Sequence, residues 1–191
     1  MAQISELHRR AGDQLAETLK RVGAADWHRP TPCTEWDLRD LVHHVAWSNL
    51  WVAPLVDGRD LAEVAPTLDG DVLGDDPVGV GIRSIEEASS AFARAGSDTI
   101  VQLSRGPTPA AEYCFERMND LVVHNWDLAR AIGIRVELDR EGMEAALGGL
   151  RPMEAQLRAI GALGPTVEVP PDADLQTRYI AFFGRRSDWA P

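Results

Sequence analysis

The longest uninterrupted amphipathic pattern in the chain runs from Tyr113 through Phe115, Met118, Leu121, Val122, Asn125 and Leu128 to Ile132, and it stops at Gly133. Apolar residues at steps of three and four predict a helix of about six turns, with glycine as its stop signal. A helix of that length must find partners for its apolar stripe, and three other segments offer them. Ile4, Leu7, Ala11, Leu15, Leu19 and Val22 repeat at the same steps up to Gly23. Leu38, Leu41, Val42, Val45 and Leu50 predict a second helix continuing to about Pro54, and Ile82, Ile85, Ala88, Phe92 and Ala95 a third, closed by Gly96. Strand signals are few: Thr99 to Leu103 reads as a strand or an extended edge, and Pro107 and Pro109 are expected to open the long helix.

Cap chemistry places the boundaries. Thr34 is expected to cap the second helix with Asp37 as its acidic partner, Asp139 a fifth helical region divided by Gly148-Gly149 and Pro152, and Asp174 a last short helix through Phe183. Asp57-Gly58, Asp69-Gly70-Asp71 and Gly74-Asp75-Asp76-Pro77 predict a long acidic connection over residues 57 to 80. The expected architecture is all-α: a four-helix bundle with a long crossover and short C-terminal helices, one domain over residues 1–191. Such bundles hold ligands on facing helices.

Charge narrows the function. Acids outnumber bases 30 to 19, and a net charge of -11 argues against nucleic acid and anionic membrane surfaces as partners. The N-terminus has no apolar leader core, and no run approaches the roughly 18 apolar residues of a membrane span. Cys33 and Cys114 are too few for a disulfide framework and are read as small buried thiols in a reducing cytoplasm. Gly79-Val80-Gly81 lacks the third glycine of a dinucleotide loop, and neither a phosphate-binding loop nor a serine nucleophile elbow is present.

What remains is histidine. His8 and His28 lie in exposed-looking segments, whereas His43, His44 and His124 lie on the two most apolar helices. Asp120 and His124 are four apart, as are Asp40 and His44, the spacing at which one helix face offers two ligands to a single ion. Acids are frequent in this chain, so spacing alone leaves two readings open: a metal site, or helix-surface pairs and hydrogen-bonded core histidines. Asp40 is a candidate to orient His44 from behind, with a plain surface acid as the alternative. Asp127 and Arg39 are candidates for an interhelical pair, the alternative being two solvated charges. Trp36, Trp47, Trp51 and Trp126 crowd the same strings, as pocket lining or as core.

Two of those strings, Trp36-Asp37-Leu38-Arg39-Asp40-Leu41-Val42-His43-His44-Val45 and Asp120-Leu121-Val122-Val123-His124-Asn125-Trp126-Asp127-Leu128-Ala129, resemble the DinB-like superfamily. More narrowly they resemble the actinobacterial branch that includes the N-terminal metal-binding domain of mycothiol-dependent maleylpyruvate isomerase. The tail Ala181-Phe182-Phe183-Gly184-Arg185-Arg186-Ser187-Asp188-Trp189 resembles a closing motif of small stand-alone members. The resemblance implies an up-down-down-up four-helix bundle with one divalent metal on His44, Asp120 and His124. Zinc is the first expectation and nickel an alternative, because mixed imidazole and carboxylate sites discriminate poorly. Asp120 stands where the isomerase is usually described with glutamate. His43 is read as structural, since adjacent helical residues point about 100° apart.

The function implied is a mycothiol-dependent transferase or isomerase in which the metal activates the thiol toward a small electrophile. The pocket would be built from Trp47, Trp51 or Trp126, with no side-chain base assigned. The alternative is a non-catalytic metal- or small-ligand-binding bundle, and a homodimer is compatible with either. Isomerisation of maleylpyruvate is the least transferable part, since 191 residues leave no room for the isomerase's additional C-terminal domain.

Overall fold

The computed structural model describes the backbone of residues 1–191 and every side chain except that of Ala2. It is mostly helical. In chain order the elements are α1 (Ala2–Leu19), α2 (Leu38–Leu50), α3 (Val52–Val56), α4 (Leu61–Val64), α5 (Pro77–Arg94), β1 (Ile100–Leu103), β2 (Gly106–Pro109), α6 (Ala110–Ala131), α7 (Arg140–Leu150), α8 (Glu154–Ala159) and α9 (Leu175–Phe182). The long helices pack pairwise, α1 on α6 and α5, and α2 on α5 and α6, while α7 joins α9 and α6. Leu15, Leu38, Leu41, Val42, Leu121 and Leu128 fill the space between them. A second apolar cluster around Val52, Ala88, Phe92, Val101 and Cys114 lies where α3, α5 and β1 meet. No helix is long and apolar enough to cross a membrane.

α1 and α5 approach closely because each presents a glycine to the other. A Cβ on Gly12 would stand 2.5 Å from Ile85 Cγ2, and one on Gly81 would stand 2.6 Å from Leu19 Cδ2. Gly81 is therefore a packing residue, not a relic of a nucleotide loop.

Several boundaries differ from the expected ones. The cap of α2 is Asp37, not Thr34: Asp37 accepts from the Asp40 backbone N–H while Asp40 accepts from that of Asp37. Thr34 lies inside a turn closed by the Trp36 N–H on the Cys33 carbonyl, one turn short of the helix. Pro107 and Pro109 lie in β2, which pairs antiparallel with β1 in a two-stranded ribbon. An edge strand tolerates proline, because an outward-facing position needs no N–H donor. Gly148 and Gly149 lie within α7 without dividing it, and a Cβ on Gly149 would stand 2.5 Å from Phe115 Cζ. Asp139 and Asp174 cap α7 and α9 as expected.

The acidic connection is laid along α2 by three side chains one turn apart. Arg39 pairs with Asp71 at 2.6 Å, His43 Nε2 lies 3.1 Å from the Gly70 carbonyl, and Trp47 Nε1 donates to the Leu68 carbonyl. This gives His43 its structural role. It also corrects the expected Arg39–Asp127 pair, because the two residues are committed to different partners.

His8, expected in an exposed segment, is fully buried at 0% exposure. It stands edge-on to Phe92 with its Nδ1 3.2 Å from Ser89 Oγ, and its Nε2 has no partner among the described residues. Burial, reinforced by the Arg117 charge, lowers its pKa to about 3. An unfolded histidine takes up a proton near pH 6.5, so between pH 6.5 and about 3 the unfolded chain binds one proton more than the native one. Stability therefore falls as pH falls through that window. At pH 5 the loss from this group is about 2 kcal/mol. Urea midpoints at pH 7 and pH 5 should differ measurably in the wild type and converge in His8→Leu, whereas an equal gap in both would assign acid sensitivity to other groups.

Candidate metal centre

The capping box at Asp37 and Asp40 starts α2 with a register that turns Leu38, Leu41, Val42 and Val45 into the core and leaves His44 at its margin. On α6 the same margin is reached by Asp120 and His124, one helical turn apart. Packing of α2 on α6 brings the three together. Asp120 Oδ1 lies 3.3 Å from His44 Nε2 and 3.5 Å from His124 Nε2, and one ligand atom from each residue falls within 4.8 Å of the others. The ring centroids of the two histidines are 5.0 Å apart, and the Trp36 indole lies 4.7 Å from that of His44.

Two of the three are held from behind. Arg117, one turn before Asp120, takes the other carboxylate oxygen, Oδ2, at 3.1 Å. Asp127, one turn after His124, accepts from His124 Nδ1 at 2.9 Å. That bond keeps a proton on Nδ1 and turns Nε2 toward the cluster, the way a metal-binding histidine is usually oriented. Asp127 is 0% exposed and is itself clamped by Arg185, whose Nε and Nη2 donate to its two oxygens at 3.2 and 2.8 Å. Arg185 Nη2 also donates to Cys33 Sγ at 3.2 Å.

The electrostatics follow from this arrangement. Burial disfavours the Asp120 anion, yet the charges of Arg117 and His124 outweigh it and hold the carboxyl well below its usual range. Burial likewise opposes charge on His124, and the two carboxylates on either side of it overcome that and raise its proton affinity. Asp127 stays ionised against its burial through His124 and Arg185. The pocket thus concentrates negative charge on Asp120 Oδ1 between two imidazole nitrogens.

Two nitrogens and one carboxylate oxygen, with solvent reaching the His44 side (29% side-chain exposure), fit a divalent cation that keeps an open coordination position. Cys33, His124 and Asp127 form a second convergent trio. There the Arg185 guanidinium donates to both the thiol and the carboxylate, so a cation already fills that place.

Among the other expected site residues, Asp40 belongs to the capping box and does not orient His44. Trp47 and Trp51 stand edge-on to each other, 5.6 Å between centroids, and line a cavity of about 590 Å³ whose wall also includes Arg117. Trp126 lines a different cavity, of about 700 Å³, under Arg130. Cys114 is buried in apolar surroundings that push its thiol up to about 12. Arg117 and Arg185 were missed from sequence. Arg117 had a readable signal, lying three residues before Asp120, whereas Arg185 is 58 residues from the carboxylate it holds.

The family model described as the mycothiol maleylpyruvate isomerase N-terminal domain matches residues 8–129, a span that contains His44, Asp120, His124 and Asp127. The chain belongs to this family. Among its relatives are the uncharacterized proteins Rv0738 and MT0763 from two strains of Mycobacterium tuberculosis, each 32% identical over 141 residues, 70% of this chain and 70% of the relative. The crystal structures of the mycothiol-dependent maleylpyruvate isomerase and of a histidine-to-alanine mutant of it share the fold of this family member. They superpose with TM-scores of 0.60 and 0.61 at 18% identity, covering 82% of this chain and 68% of theirs. Arg185 lies outside the span matched by the mycothiol maleylpyruvate isomerase N-terminal domain model, so in this family member the clamp on Asp127 comes from a segment the model does not describe.

Proposed function

We propose that this chain is a divalent-metal protein of the mycothiol-dependent isomerase and transferase type. In this reading His44, Asp120 and His124 hold the ion, zinc by preference. Mycothiol or a close analogue is the thiol, and a small electrophile is the second substrate. The observation that carries the reading is the aim of three donor atoms at one point, two of them, on Asp120 and His124, fixed from behind by separate partners. A divalent ion so held lowers the pKa of a coordinating thiol, which in water is near 8.5 and only a few per cent thiolate at neutral pH.

The chain's own residues do the rest. Asp127 keeps the His124 proton on Nδ1, Arg117 turns Asp120 Oδ1 toward the cluster, and Trp36 covers His44 and His124 from water on one side. The partly exposed His44 edge is the side on which a thiol enters. The same reading takes residues 1–191 as one four-helix-bundle domain of DinB-like type, supported by the mutual packing of α1, α2, α5 and α6 and by a core that runs from Leu7 to Phe183. It places the protein in the cytoplasm, where the unpaired Cys33 and Cys114 are at home.

Cobalt substitution tests the thiol. Sulfur ligation of cobalt gives an intense near-ultraviolet charge-transfer band, so adding mycothiol to the cobalt-loaded protein should produce that band and should accelerate addition of the thiol to a simple electrophile. Absence of both at saturating thiol would refute thiol activation. A band without acceleration would leave a metal-binding protein that does no chemistry on this thiol.

A further inference from the structure

The cavity between α2, α4, the ribbon and α6 has a composition that the metal centre does not explain. Its walls are largely apolar, built from Trp47, Trp51, Leu61 and Leu103, and Trp47 is 38% exposed, unusual for so large an apolar side chain. The polar groups in its lining are mostly donors. Arg117 faces it while holding Asp120 Oδ2 at 3.1 Å, so the inner wall of the cavity is one side chain away from the metal centre. Arg105 stands in the lining with its guanidinium on Glu116 at 2.6 Å, a half-exposed pair that another carboxylate can exchange at little cost. Burial keeps the Tyr113 hydroxyl protonated, its pKa pushed up to about 12, and the Trp51 indole N–H is buried without a partner among the described residues. Glu116 is the one carboxylate in the lining.

Apolar aromatic walls with two guanidinium groups and two further donors suit a ligand with an apolar body and an acceptor-rich anionic end. We infer that this cavity binds the second substrate, and that this substrate is a carboxylic acid with a flat or extended hydrocarbon body, its carboxylate on Arg117 and Arg105 and its body against Trp47 and Trp51. The inference rests on the proposed metal centre for its role, because Arg117 joins the cavity to Asp120. Its binding chemistry is independent of the ion.

Isothermal titration calorimetry of the full-length zinc-loaded protein with 2-naphthoate and 4-phenylbutyrate, each against its uncharged primary amide, tests it directly. At least one acid should bind about tenfold or more tightly than its amide, a difference of about 1.4 kcal/mol. Arg105→Gln should remove most of that ratio. Ala62→Trp, which fills the exposed mouth, should weaken both members of the pair at least tenfold while zinc stoichiometry stays at the wild-type value. The acid preference should also survive removal of the metal by chelator. Equal affinity of acid and amide, no binding of any of the four probes, or undiminished binding in Ala62→Trp would overturn the inference and leave the metal reading untouched. A protein that takes up no metal yet prefers the acids would do the reverse.

Discussion

Asp127→Ala is expected to cost about 3–5 kcal/mol of stability, the range for breaking a buried ion pair by removing one partner. Asp127 is fully buried and carries bonds from His124 and Arg185 together, so its loss leaves the Arg185 guanidinium inside the protein with no counter-charge and the His124 ring with Asp120 alone. For a chain of this size the melting temperature should fall by roughly 10 °C. The same substitution frees the His124 ring to choose its tautomer, and metal affinity should drop about 10- to 100-fold, as when an outer partner of a metal-binding histidine is removed. Arg185→Met separates the two effects, because it removes the clamp but leaves Asp127 on His124. Differential scanning calorimetry and competition with a chromophoric chelator read both quantities. A melting shift below about 2 °C with unchanged zinc affinity would mean that the clamp is neither structural nor functional.

His44→Ala should abolish stabilisation by metal. A ligand that binds only the native state stabilises it by about 4 kcal/mol at a free concentration a thousand times its dissociation constant. Zinc should therefore raise the wild-type melting temperature by several degrees, and chelator should reverse the rise. In His44→Ala two donors remain, both on α6, and they can no longer tie α2 to α6 through a shared ion. The zinc-dependent shift should vanish and elemental analysis should find less than a tenth of the wild-type content. The fold itself should survive, because His44 lies at the margin of the core. An undiminished shift in this variant would show that zinc binds elsewhere.

Much of this molecule was legible one residue after another. The four long helices follow from apolar steps of three and four, since a helix forms where one face can be buried whatever it is buried against. The caps at Asp139 and Asp174 follow from local chemistry within three residues. The pairing of Asp120 with His124 was likewise local, four residues on one helix. Thr34 misled because a cap is decided by where the preceding turn closes, and the turn at Cys33 to Trp36 closes one step later than composition suggested. Pro107 misled because a fixed φ near -65° suits both a helix start and an edge strand, and only the pairing with Ile100 to Leu103 selects the strand, whereas Pro109, the last residue of β2, is also the N-cap of α6.

The sequence by itself determined that the chain is helical, where most helices begin and end, and that α6 offers an acid and a histidine on one face. Only the tertiary structure decided that His8 is buried on Phe92 rather than exposed, and that Asp127 is held by Arg185 rather than Arg39. The physical reason is range. Periodicity and capping are set by neighbours within about one turn of chain, whereas a buried carboxylate takes whichever cation the packed helices deliver to it, and here that cation arrives from 58 residues away.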